Sequence, residues 1–157
     1  MPVTITDYHA LIRDAMVTVF QAAITAQGYA ITVRAVDQPE DMFQLTVPAI
    51  GVACVGPESE RSDWSTNTMT GIMYPVAIAL LSHGTTRGEQ VAGVPDATQF
   101  RRLLTTTFGF KRLSGVSQVG YCEVSDSGEL WDEKQPRFQT LQTAMVVSAI
   151  GRFQRST

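Results

Sequence analysis

The sequence has little of what enzyme active sites use most. Only 17% of its residues are charged, against roughly 25% in a typical soluble domain. It has two histidines, His9 and His83, and neither has a sequence neighbour that suggests a catalytic triad. Two histidines and two distant cysteines also lack the paired spacings of a zinc site. We therefore predict no catalytic residue, no metal site and no cofactor, and a protein that is not an enzyme.

The two cysteines, Cys54 and Cys122, lie in apolar, strand-like stretches and lack CxxC spacing. We interpret them as reduced, half-buried thiols in preference to a disulfide or a ligand pair. A chain of 157 residues fits one domain, 1–157, which can bury about 68–70% of its unfolded surface. Such a domain needs no disulfide and no metal in order to fold.

The sequence also lacks signals for membranes and for nucleic acid. Its first residues have neither the basic nor the apolar segment of a secretory signal. No apolar run reaches the roughly 18 residues that a membrane span needs. The net charge is −3 and the basic residues are scattered, so we expect no specific DNA binding. We expect the protein in the cytoplasm or in a particle assembled there.

Two segments resemble a phosphate-binding loop and a calcium-binding loop, but neither has the required sequence pattern. The loop at 84–88 is glycine-rich but lacks the GxxxxGK[ST] pattern of a phosphate loop. An acidic group near the C-terminus lacks the register of a calcium loop: Asp126, Glu129, Asp132 and Glu133. A solvated hairpin tip is the better interpretation of this acidic group.

Apolar periodicity predicts a long first helix over residues 7–27. Apolar side chains recur at helical spacing, with Thr6 as the expected N-cap and Gly28 as the residue that ends the helix. A second helix begins at Asp96, whose pairing with Gln99 has the form of a capping box, and it stops at Gly109.

The remaining patterned segments are strand-like. They cover 29–36, 43–55 with an interruption at Pro48, 70–82, 116–124 and 137–153. In the central strand, 70–82, large apolar residues alternate with mostly small ones, so both faces are expected to be covered. The order α-β-β-β-α-β-β predicts an α+β domain. It would have a mainly antiparallel or mixed sheet, two helices on one face and a protruding hairpin or loop.

Two tryptophans lie in polar, turn-like segments where no core is expected. Each either folds back onto its own sheet or anchors an interface, because buried aromatics dominate interface energetics. We expect the loop 57–68, with Trp64, to project from the sheet and to contact a partner. We also expect the polar half of the last strand, with Trp131 and the hairpin 125–128, to form a protruding arm that meets a partner. The candidate interface residues are Arg61, Asp63, Trp64, Asp126, Glu129, Trp131 and Arg137.

The order of these elements and their residue patterns resemble those of a known protein family over nearly the whole chain. The first helix opens with Ile5-Thr-Asp-Tyr-His-Ala-Leu-Ile-Arg-Asp14, a short strand carries Val47-Pro-Ala-Ile-Gly-Val52, and the central strand carries Tyr74-Pro-Val-Ala-Ile-Ala-Leu-Leu81. A helix, a strand, an acidic turn and a long final strand follow. This pattern resembles the tail terminator (tail completion) proteins of long-tailed bacteriophages.

The resemblance implies a structural virion protein. Such a protein forms a ring of identical subunits, expected to be a hexamer, which caps the tail tube, ends its polymerisation and joins tail to head. The implied partners are copies of itself, the tail tube protein and a head–tail connector or neck protein, while DNA passes through without specific binding. Two alternatives remain: a head-side stopper or adaptor of the neck, and a small α+β enzyme or ligand-binding domain with a pocket between helix and sheet.

Overall fold

The computed structural model describes residues 7–82, 93–126 and 141–154. Within them, two α-helices, two 3-10 helices and six strands follow one another. The order is α1 (Tyr8–Ala26), β1 (Thr32–Val36), a first 3-10 helix (Pro39–Gln44), β2 (Ala49–Cys54), β3 (Ser59–Glu60), a second 3-10 helix (Ser62–Trp64), β4 (Met69–Leu81), α2 (Ala97–Phe108), β5 (Val119–Asp126) and β6 (Leu141–Gln154). The predicted α+β class is confirmed, with β3 as a short strand that the sequence did not indicate.

The six strands form one mixed sheet in the order β1-β2-β4-β6-β5, with β3 pairing only with β4. β1 and β2 run parallel, and every other pair is antiparallel. β1 and β5 are therefore the two opposite ends of the sheet. Over residues 141–154, β6 pairs with β4 and β5 of its own chain. The segment 137–140, where we expected the strand to begin, lies outside the described residues.

α1 begins one residue later than expected. Its N-cap is Asp7, whose carboxylate accepts a hydrogen bond from the Ala10 N–H at 3.0 Å. Thr6, the predicted cap, lies outside the described residues. Gly28 follows the helix with φ of +83°, a conformation that glycine adopts without a side-chain clash. The buried stripe of α1 consists of Ile12, Met16, Phe20 and Ile24.

α2 has the predicted start and end. Asp96 accepts a hydrogen bond from the Gln99 N–H at 2.8 Å, and the Gln99 side chain accepts one from the Asp96 N–H at 3.0 Å. Gly109 ends the helix. Phe20 of α1 contacts Phe100 and Phe108 of α2, with ring centroids 5.7 and 5.9 Å apart. Both helices thus share one apolar core on one face of the sheet, as predicted.

β4 separates two cores, in agreement with its alternating large and small residues. The large side chains, Ile72, Tyr74, Val76, Ile78 and Leu80, join the core under the helices. The small-residue face, with Ala77, Ala79 and Leu81, joins a second core that includes Met42. This face is covered by the chain's own first 3-10 helix.

The predicted strand over 43–55 is wrong in its first half. Pro39 at the start of a helical turn and the acidic residues Glu40 and Asp41 favour a helical start. The resulting 3-10 helix places Met42 over Gly51 of β2. A Cβ atom at Gly51 would lie 2.7 Å from Met42 Cγ, so this packing requires glycine. The strand itself begins only at Ala49, after Pro48.

A helix side chain protects the outer edge of β1. The Gln21 carbonyl oxygen accepts a hydrogen bond from the Val33 N–H at 2.8 Å, and its amide donates to the Ile31 carbonyl at 3.2 Å. Gln21 thus takes the place of a neighbouring strand at this point. Since unpaired sheet edges recruit other chains, the contact directs association away from this stretch of backbone.

Candidate interaction surface

Trp64 lies on its own sheet. Its indole stands over Gly120 of β5, where any side chain would collide with the ring. Its Cβ would lie 2.6 Å from a Cβ atom at Gly71 of β4. Trp64 is half-buried, and its ring centroid is 5.0 Å from that of Tyr121. The expectation that this loop projects from the sheet is wrong, because Gly120 leaves room for the indole and Gly71 leaves room for the Trp64 Cβ and backbone.

Hydrogen bonds fix the rest of this loop to the sheet. β3 pairs with β4, and the Arg61 N–H donates to the Gly71 carbonyl at 2.7 Å. Arg152 of β6 donates from Nε to the Trp64 carbonyl at 2.9 Å, and its guanidinium lies 5.1 Å from the indole centroid. The latter is a cation–π distance.

The charged side chains beside Trp64 in the sequence form an ion pair. The Arg61 guanidinium donates two hydrogen bonds to the Asp63 carboxylate, each at 3.1 Å, and lies 4.0 Å from Glu123. The hydrogen bond from Arg61 lowers the pKa of the Asp63 carboxyl. The geometry is bidentate, the stronger form of such a pair. Of the seven candidate interface residues, Arg61, Asp63 and Trp64 are therefore brought together.

The other four candidates do not join this group. Asp126 lies at the far end of β5, where it pairs with Arg101 of α2. Arg101 also donates a hydrogen bond to Thr143 of β6 at 3.2 Å, so this group ties α2 to the sheet. Glu129, Trp131 and Arg137 lie outside the described residues, as does the proposed arm beyond Asp126.

Phe110 is the most exposed large apolar side chain of the described residues, at 81%. Its ring stacks on Tyr121, with centroids 6.4 Å apart and planes at 14°. Its φ is +56°, which is rare for a bulky residue. The Phe110 N–H donates to the Cys122 carbonyl at 2.8 Å, and the Cys122 N–H donates to the Lys111 carbonyl at 3.0 Å. These two bonds hold the strained residue against the outer edge of β5.

Sequence reasoning missed Phe110. The available signal was an apolar residue directly after the helix-ending Gly109, outside the helix's buried stripe. What the sequence could not show is that Cys122 of β5 would hold this backbone in place.

His9 and the cysteines have structural environments. His9 Nε2 lies 2.7 Å from the Pro75 carbonyl oxygen, and the imidazole packs on Tyr74. Cys54, half-buried, donates from Sγ to the His9 carbonyl at 3.5 Å. Both thiols are free, and burial raises the pKa of the Cys122 thiol to about 12. His83 lies outside the described residues.

A shallow open groove lies between the end of α1 and α2. Its lining residues are Gln27, Tyr29, Gln99, Arg102, Leu103 and Thr106. This set contains no carboxylate, histidine or cysteine, and so offers no general base of the usual kind. Across the described ranges, no three His, Cys, Asp or Glu residues are grouped to hold a metal ion.

The same part of the chain contains no helix that is both long and apolar enough to cross a membrane. Comparison with models of known protein families and with curated proteins finds no match to this chain.

Proposed function

We propose that this chain is a tail terminator of a long-tailed bacteriophage. Copies of it form a ring that caps the tail tube, ends the tube's polymerisation and provides the surface that joins tail to head. The proposal draws on the resemblance of element order and on an α+β fold that agrees with it. It also draws on an exposed aromatic surface that is suited to protein contacts.

The observation that carries the proposal is Phe110. A large aromatic side chain that is 81% exposed leaves apolar surface in water, and its positive φ adds backbone strain. Neither feature helps the isolated subunit fold. Exposed aromatic anchors are typical of protein interfaces, where they contribute a large share of the binding energy. A protein that assembles with other proteins accounts for both features.

Charge is compatible with a ring through which DNA passes. Binding to DNA strengthens as Lys and Arg neutralise phosphates, so a strongly basic channel would retain the DNA. A subunit with a net charge of −3 avoids such retention.

The test is negative-stain microscopy of the purified protein mixed with the tail tube protein of the same virus. We expect closed rings, one at a single end of each tube, and tubes that stop growing. Rings that bind the head portal and leave tubes uncapped would instead assign the head-side role. Subunits that stay monomeric with and without tubes would contradict both roles.

A further inference from the structure

Two large apolar side chains are exposed in the described residues, and they lie on different parts of the molecule. Phe110 is 81% exposed and Leu11 is 48% exposed. Phe110 lies beside β5, at one end of the sheet. Leu11 belongs to α1, whose first turn contacts β4 through His9 and β6 through Tyr8.

The surface around Phe110 is basic. Lys111 and Arg112 follow it directly and are both exposed. Within the described residues, neither cation has a carboxylate within 4 Å. We call Phe110, Lys111, Arg112 and Tyr121 the Phe110 surface. It offers one aromatic anchor and two cations that have room for a partner's carboxylates.

The surface around Leu11 is acidic. Asp7 and Asp14 are four residues before and three residues after Leu11, so all three share one helix face. Asp14 is 58% exposed and Asp37 is 92% exposed, and Arg13 pairs with both, at 3.0 and 3.6 Å. The region therefore has three carboxylates and one cation. We call Asp7, Leu11, Asp14 and Asp37 the Leu11 surface. It has one exposed apolar side chain and opposes the Phe110 surface in charge.

We propose that the Phe110 surface of one subunit docks on the Leu11 surface of a second copy of this chain. Phe110 packs on Leu11, and Lys111 and Arg112 face the carboxylates of Asp7 and Asp14. The two surfaces differ, so the contact is head-to-tail and repeats around a ring when the rotation closes. The inference rests on the proposed function, because it assigns the contact that would build the ring.

The backbone around Phe110 supports this assignment. Two hydrogen bonds to Cys122 fix residues 110 and 111 before any partner arrives. A preorganised anchor loses less conformational freedom on binding, which favours association. Opposite charge also orients the encounter and disfavours contact between two basic surfaces.

A photo-cross-linker at residue 110 tests the contact directly. p-Benzoylphenylalanine in place of Phe110 keeps an aromatic side chain at the anchor. Irradiated rings, digested with trypsin, should give an adduct with the N-terminal peptide that ends at Arg13 and contains Leu11. An adduct with the peptide that contains residue 110 itself would indicate a symmetric contact. That result, or rings with no adduct on α1, would overturn the inference while leaving the ring intact.

Mixed variants give a second test. Phe110→Asn removes the anchor, and asparagine tolerates positive φ, so its melting temperature should not fall. Leu11→Asp places a charge on the opposite surface, and Thr18→Asp, about 10 Å further along α1, is its matched control. Each single variant should weaken assembly about 30-fold, as loss of an interface hot spot does. The control should assemble as the wild type does.

An equal mixture of Phe110→Asn and Leu11→Asp subunits still contains one intact surface of each kind. Sedimentation velocity should therefore show dimers in the mixture, whereas each variant alone stays monomeric. Normal rings from Leu11→Asp alone would overturn the inference. The absence of rings from wild-type protein on tail tubes would instead count against the proposed function.

Discussion

Trp64 fits its sheet because two glycines have no side chain there. Gly71 and Gly120 come from different strands: the indole lies over Gly120, and the Cβ and backbone of Trp64 lie over Gly71. Arg152 then covers the ring from a third strand. The residue that we expected to be an interface anchor therefore packs on its own sheet, and we propose Phe110 as the anchor instead.

We predict that Trp64→Ala lowers the free energy of unfolding by about 2 kcal/mol, less than for a fully buried tryptophan because this one is half-buried. Gly120→Ala should also destabilise, since the new methyl group would displace the indole. Urea denaturation measures both. Unchanged stability in Trp64→Ala would mean that the indole does not pack on the sheet in solution.

A second prediction concerns the thiols. Burial raises the pKa of Cys122 to about 12, so this thiol stays almost entirely protonated at pH 8. It should resist thiol reagents until the protein unfolds. Cys54 is half-buried, and burial raises its pKa too, so it should react slowly. Reagent titration in the native and denatured states would check this order, and equal native rates for the two thiols would contradict it.

The same pKa shift predicts a loss of stability in alkali. The folded state favours protonated Cys122, so this contribution is complete below the ordinary thiol pKa of about 8.5. It decreases as pH rises from there towards 12. In a Cys122→Ala variant, the free energy of unfolding should fall less steeply with rising pH than in the wild type. Equal slopes in the two proteins would show that this thiol does not cause the loss of stability.

At the level of elements, one side chain forms the hydrogen bonds to the backbone at the outer edge of β1. Val33 is buried, and Gln21 satisfies its N–H. Gln21→Ala would leave that donor without a partner, and we predict a loss of about 1–2 kcal/mol of stability. Gln27→Ala, at an exposed position that follows the same helix, should have almost no effect. Equal stability of the two variants in thermal melts would show that Gln21 does not close the edge.

The sequence predicted those helices and strands that are specified by residues close together in the chain. The stripe of α1, the Asp96–Gln99 box and the alternation in β4 all appear in the structure. The sequence patterns did not predict the two 3-10 helices, because the packing of these helices depends on glycines that are distant in the sequence. Met42 needs Gly51, and Trp64 needs Gly71 and Gly120. The residues after Met42 alternate as in a strand, and only the contact between Met42 and Gly51 shows that the segment before Ala49 is not one.

At the scale of the whole molecule, the two surfaces that we assign to assembly belong to different elements. The Phe110 surface lies beside β5 and the Leu11 surface on the helix that covers β1 and β2. The first 3-10 helix covers the small-residue face of β4. Subunits can therefore meet side by side without opening either core.

The central claim is that this chain acts as a ring on a tail tube. The measurement is negative-stain microscopy of tubes grown with wild-type protein, with Thr18→Asp as a surface control and with Phe110→Asn. The account predicts one closed ring at one end of each tube for the first two proteins, and uncapped, longer tubes for Phe110→Asn. Tubes whose length and ends are the same with and without the wild-type protein would contradict the account.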